Sequence, residues 1–119
     1  MPQTDVWFYA DSDGTSEPVD WLDRWPDEVR DKLFYRVRRL AEAGHELRRP
    51  EADILRDKIY ELRVRHQRVN YRLLYFFHHG AAVIAHGCTK KGDVDDSDIE
   101  RAIARRKEYI RDPSGHRVV

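Results

Sequence analysis

Hydrophobic positions divide the chain into four stretches with different periods. Val6–Ala10 (VWFYA) is a short apolar run and predicts a strand; the turn-rich DSDGTSEP that follows predicts a loop. From residue 19 to 43 the spacing becomes helical, with Leu22, Trp25, Val29, Leu33, Val37 and Leu40 every three or four positions. Pro26 divides this stretch. Proline suits the first helical position, and Asp27 and Glu28 follow where the helix dipole favours anions. The pattern predicts a short helix over about 19–25, a longer one over about 26–43, and a stop at Gly44. His45–Pro50 (HELRRP) is aperiodic and reads as a loop, and Glu51–Arg56 as a helical turn.

Residues 58–88 carry strand signals. In KIYELRVRH, Tyr60, Leu62 and Val64 share one face and Glu61, Arg63 and Arg65 the other. VNYRLLYFFH is rich in aromatic and branched residues, and after the turn signal His79-Gly80 comes AAVIAHGC, so a three-stranded antiparallel meander is predicted. TKKGDVDD is a polar loop. Ser97 and Glu100 match a capping box, and Ile99, Ala102, Ile103 and Ile110 give the helix behind it an apolar stripe that ends at Asp112-Pro113-Ser114-Gly115. The architecture expected is α+β: an N-terminal strand and two helices packed on a three- to four-stranded antiparallel sheet, with a C-terminal helix. One domain is expected over 1–119, with a flexible tail from about residue 113.

Composition narrows the class. The chain has 119 residues, 37% charged, and a mean hydropathy of −0.82, which leaves no room for a membrane span. The opening MPQTDVWFYADSD has neither a basic nor an apolar leader segment, and the single cysteine, Cys88, reads as a small buried filler in a reducing compartment. A soluble cytoplasmic protein is expected. Net charge is zero but unevenly spread. Residues 1–31 hold 2 basic and 9 acidic side chains, residues 32–72 hold 12 and 6, and residues 73–119 hold 8 and 7. A polyanion would be drawn to the middle third.

The register of the meander concentrates that charge. If the first hairpin turns at Gln67-Arg68, Arg63 lies opposite Arg72; if the second turns at His79-Gly80, Arg72 lies opposite Gly87. Lys90 and Lys91 leave the sheet beyond that row. Opposed like charges destabilise a strand pair, whereas clustered arginines grip a phosphate with parallel hydrogen bonds. The alternative is a solvated face on which Arg63 pairs with Glu61. Leu74, Phe76, Val83 and Ala85 share the arginine face, so a C-terminal helix would cover its apolar part and leave the arginine end open as a shallow cleft. The N-terminal helices would cover the other face.

Other signals are weaker. None of the six histidines has zinc-ligand spacing, and His86 reads as a packed core residue; no metal or cofactor is expected. Trp7, Trp21 and Trp25 read as core, and the Arg105-Arg106-Lys107 run with Tyr109 as a solvated helix face.

The ordered set of "LRRP", "IYELRV", "NYRLLYFF", "HG" with "TKK", and "DIERAIAR" resembles the HigB-like, phage-derived branch of the RelE/ParE toxin superfamily over roughly residues 5–112. The resemblance implies a small toxin encoded beside a helix-turn-helix antitoxin and held with it in a hetero-oligomer. Many such toxins cut mRNA on the ribosome without a metal. It places Arg63 at the arginine of ELR, Arg72 at that of YR, and Lys90 and Lys91 at the paired lysines. These four residues and Tyr109 are the catalytic candidates, with Arg65, Arg68 and Arg105 as RNA contacts. Tyr109, His66 or a lysine would move the proton. Cys88 stands where such proteins often have an aromatic, and Gly92-Asp93-Val94-Asp95 is more acidic than their usual loop. Two other functions remain open: a ParE-like inhibitor that binds a topoisomerase, and a toxin-like RNA- or protein-binding module without catalysis.

Overall fold

The computed structural model describes residues 3–118. Five strands form one mixed sheet in the order β1-β5-β4-β3-β2: β1 (Val6–Phe8), β2 (Ala52–Ile54), β3 (Tyr60–His66), β4 (Val69–His78) and β5 (Ala81–Lys90). Three helices pack on it: α1 (Glu17–Asp23), α2 (Asp27–Ala43) and α3 (Asp96–Arg111). The α+β class therefore stands, but the antiparallel sheet of three to four strands is corrected to five mixed strands. β1 runs parallel beside β5, pairing Val6 with Ala82 and Phe8 with Ile84. The expected helical turn at 51–56 is instead strand β2, whose three residues are too few to show an alternating pattern.

The two long hairpins explain themselves locally. Gln67 and Arg68 both have positive φ, 48° and 69°, as do His79 and Gly80, 48° and 81°. Two consecutive left-handed residues make the tight turn whose twist matches the flanking strands. The first turn sets Arg63 opposite Arg72. The second begins in the expected register, Phe76 against Val83, but a bulge then leaves Ala85 without a partner, so Arg72 meets Cys88 and not Gly87. Gly87 is displaced to the opposite face, where a Cβ would overlap the Trp21 ring.

Each face has its own core. α1 and α2 bury Trp21, Leu22, Val29, Leu33 and Leu40 against Leu62, Val64, Leu73, Tyr75 and Ile84. α3 buries Ile99, Ala102 and Tyr109 against Leu74, Phe76, Val83 and Ala85. Ser16 caps α1, its Oγ accepting from the Val19 N–H at 3.3 Å and donating to the Tyr9 carbonyl at 2.7 Å. Gly44, at φ 56°, ends α2. α3 begins at Asp96 with Asp95 as its cap, not with the expected Ser97–Glu100 box. The segment after α3, expected to be a loose tail, is placed along β1: Arg117 bridges Tyr9, the Val118 N–H donates to the Phe8 carbonyl at 2.9 Å, and His116 stacks on Tyr9. Among the described residues, no helix is long and apolar enough to cross a membrane.

Candidate nucleic-acid interface

Because side chains alternate along β3 and β4, Glu61, Arg63, Arg65, Asn70 and Arg72 all fall on the α3 face. α3 covers only the far half of that face, through Leu74, Phe76, Val83 and Ala85. The near half is an open cleft of about 470 Å³, walled by the arginine row, by Arg49 and Asp53, and by the Lys91–Val94 loop. A second hollow of about 420 Å³ shares Arg49, Arg63, Arg65, Asn70 and Arg72 and continues to Arg36 and Pro50.

Glu61 holds the centre. Its Oε2 accepts from Arg63 Nη1 at 2.6 Å, and its Oε1 lies 3.0 Å from Arg72 Nε. Glu61 is 3% exposed and Arg72 5%. Burial pushes the Arg72 guanidinium below its ordinary value, Arg63 adds to that push, and Glu61 opposes it. One carboxylate thus serves two guanidinium groups, so the opposed arginines are tolerated inside the sheet while one positive charge stays uncompensated. The pairing of Arg63 with Glu61, read as the alternative to a phosphate grip, coexists with the cluster. Around the cleft, five cations (Arg49, Arg63, Arg65, Arg72, Lys91) face three carboxylates (Asp53, Glu61, Asp93). Asp53 is engaged by Arg49 Nε at 2.8 Å. Among the described residues, no carboxylate is paired with Arg65 or Lys91.

The other candidates divide. Arg65 lines the cleft, and Arg68 sits exposed at the hairpin turn beyond it. Lys90 is drawn away: its ammonium lies 2.6 Å from Asp95 and 2.7 Å from Asp98, and these bonds raise it well above the ordinary lysine value. It anchors the start of α3 and does not line the cleft. Tyr109, 2% exposed, packs edge-on against Phe76 and His78, toward the opposite end of the sheet from Arg72. Arg105 is also not brought to the cleft. Its Nη1 donates to the carbonyl of the bulge residue Ala85 at 2.7 Å and its Nη2 to Glu17 at 2.8 Å. His66 faces α2, with Nδ1 2.9 Å from Lys32 Nζ. Among the described residues, neither a histidine nor a tyrosine lines the cleft.

Two residues outside the predicted site set, Arg49 and Glu61, belong to the cleft. Arg49 stands in the "LRRP" loop, where aperiodic sequence gives no orientation; its only signal was the basic pair before Pro50. Glu61 became central because it sits two positions before Arg63 on the same face. A donor cluster also lies beside the site: the ligand atoms of His86, Cys88 and Asp98 are within 4.8 Å of one another. His86 Nε2 is 2.7 Å from Asp98 Oδ1, and the Lys90 ammonium supplies the positive charge at Asp98 Oδ2, while the buried His86 Nδ1 has no hydrogen-bond partner among the described residues. Burial, reinforced by Asp98, pushes the Cys88 thiol up to about 12.

No curated protein matches the chain. The family model described as Phage derived protein Gp49-like (DUF891) matches residues 20–107, from α1 through most of α3 and including every cleft residue named above. The chain therefore belongs to the phage-derived Gp49-like family, a toxin-like family related to RelE and HigB whose members are typically paired with an antitoxin.

Proposed function

We propose that this protein is the toxin of a type II toxin–antitoxin pair and cleaves mRNA on the ribosome without a metal, holding the ribonucleotide backbone in the arginine cleft. The observation that carries the reading is the pair Arg63 and Arg72, side by side on adjacent strands and joined by one shared carboxylate. Arg72 Nη1 also donates to the Tyr71 carbonyl at 3.3 Å, and both side chains line an open cleft bordered by Arg49, Arg65 and Lys91. Two guanidinium groups that share one anion still attract a second, and a phosphodiester supplies it with bidentate geometry.

The chemistry follows from that placement. The ribose 2′-oxygen attacks the adjacent phosphorus, the P–O5′ bond breaks, and the products are a 2′,3′-cyclic phosphate and a 5′-hydroxyl. Negative charge grows on the non-bridging oxygens, where Arg63 and Arg72 stabilise it without reorganising, since Glu61 already fixes them. The 2′-OH proton must leave and O5′ must gain one. Lys91, with no paired carboxylate among the described residues, is assigned the proton on O5′, and Asp93 on the same loop is assigned acceptance of the 2′-OH proton. Tyr109, Lys90 and Arg105 have no part in this step.

A second reading, RNA binding without cleavage, is favoured by one observation: among the described residues no imidazole or phenol lines the cleft. Induced expression separates the two. The nuclease reading expects growth arrest that is relieved in an Arg63→Gln/Lys91→Ala variant of equal abundance. Undiminished arrest with that variant contradicts the site. Salt-sensitive RNA binding with intact transcripts supports the second reading.

A further inference from the structure

The cationic surface does not end at the cleft. The hollow beside Arg63 and Arg72 passes Arg65 and Arg36 and meets a third one, of about 380 Å³, walled by Asp31, Lys32, Tyr35, Arg36, Val64 and Arg65. The path crosses the free edge of β3. β2 pairs only with Tyr60–Leu62, and the Arg63 N–H donates to the Glu51 carbonyl at 2.8 Å. By the alternation of the ladder, the next peptide N–H to face that edge is that of Arg65, where no strand lies beside it. At the end of the path stands Tyr35, 52% exposed, its ring in no aromatic pair among the described residues.

We infer that this groove is a second nucleotide subsite, in which a base flanking the bound phosphate stacks on Tyr35 while Arg65 holds the connecting backbone and Arg36, engaged by Glu51 at 3.0 Å, walls the path. The inference rests on the RNA reading of the cleft and extends it. Exposed aromatic rings at the end of a cationic track are what a single strand needs, because an unpaired base offers its face to the ring and its phosphate to the guanidinium groups. An added peptide strand fits less well. The open edge covers about three residues before Glu51 and Pro50 close it, short of a usual strand of about five. Duplex RNA would keep its bases stacked on one another and leave Tyr35 without a partner.

The test uses the full chain and fluorescein-labelled single-stranded RNAs of two and six nucleotides, followed by anisotropy. The parent binds the hexamer more tightly than the dimer. Tyr35→Ala weakens hexamer binding about tenfold, leaves dimer binding unchanged, and Tyr35→Phe restores the hexamer value. A hexamer with one abasic position at the stacked base binds the parent about tenfold more weakly and is insensitive to Tyr35→Ala. Tyr35 is exposed, so Tyr35→Ala keeps the parent's melting temperature. Equal hexamer affinity for parent and Tyr35→Ala overturns the subsite and leaves the cleft reading intact. If the parent binds neither RNA, the cleft reading itself fails. If Tyr35→Ala instead loses only affinity for a labelled acidic peptide, the face belongs to a protein partner and the inference is overturned.

Discussion

Glu61→Gln should move stability and RNA affinity in opposite directions. The wild-type carboxylate, 3% exposed, makes charge-assisted contacts at 2.6 Å to Arg63 and 3.0 Å to Arg72. Each such contact is worth about 1.5–3 kcal/mol. A glutamine keeps one acceptor oxygen and turns an amide donor toward a guanidinium that has nothing to accept with. Breaking a buried ion pair on one side costs about 3–5 kcal/mol, and the retained acceptor places this case at the lower end, about 3 kcal/mol. For a chain of this length that corresponds to a melting temperature lowered by about 12 °C. Binding gains from the same change. Removing a negative charge about 6 Å from a bound phosphate, at an effective dielectric of about 40 for a half-open cleft, is worth about 1.4 kcal/mol, or about tenfold in affinity. Urea unfolding gives the first quantity and anisotropy with the hexanucleotide gives the second. If Glu61→Gln unfolds no more easily than the parent, or loses affinity while folded, the account of Glu61 as the shared counter-ion of a phosphate-binding pair is wrong.

Adjacent lysines should separate cleanly. Lys91→Ala weakens RNA binding and reduces the salt dependence by about one unit of slope with little change in stability, whereas Lys90→Ala lowers the unfolding midpoint by removing the cation between Asp95 and Asp98. Gly87→Ala, whose methyl would overlap the Trp21 ring, should destabilise by about 3 kcal/mol or more, measured by thermal unfolding against Gly92→Ala, where a Cβ meets nothing. Acid should weaken the fold through two carboxyls. The hydrogen bond from Arg39, joined by Arg36 against the effect of burial, holds Glu51 below the usual range; burial alone would raise Asp98, but Lys90 and His86 outweigh it. Groups depressed in the folded state stabilise it above the unfolded carboxyl value of about 4 and lose that contribution as pH falls through the folded value. The urea midpoint should therefore drop below about pH 5, with a shallower drop in Glu51→Gln.

Local patterns revealed what depends on local chemistry. The two hairpins were legible because alternation and two-residue turns fix which residues oppose, and Arg63 against Arg72 followed from that alone. The bulge at Ala85 carries no such signal; it moved Gly87 to the Trp21 face and brought Cys88 opposite Arg72. β2 is three residues long and shows no period; the apolar run at Val6–Ala10 marks β1 as a strand, but its parallel place beside β5 is a sequence-distant pairing that no period reports. On α3 the apolar pattern puts Ile110 on the stripe, yet Ile110 is 50% exposed while Tyr109, in helical phase with Ile99 and Ala102, is buried. That one-position slip is what made Tyr109 look available for chemistry. Lys90 looked free because nothing along the chain places Asp98 beside it until α3 docks. The groove to Tyr35 depends on how α2 lies against β3, a tertiary relation with no local trace.

Mapping transcript 5′ ends after induced expression is the most direct test of the central claim that this cleft cuts a ribonucleotide backbone. New 5′-hydroxyl ends inside translated regions, lost with Arg63→Gln/Lys91→Ala and retained with Tyr109→Phe, are the expected result. Growth arrest with transcripts intact from end to end would contradict it.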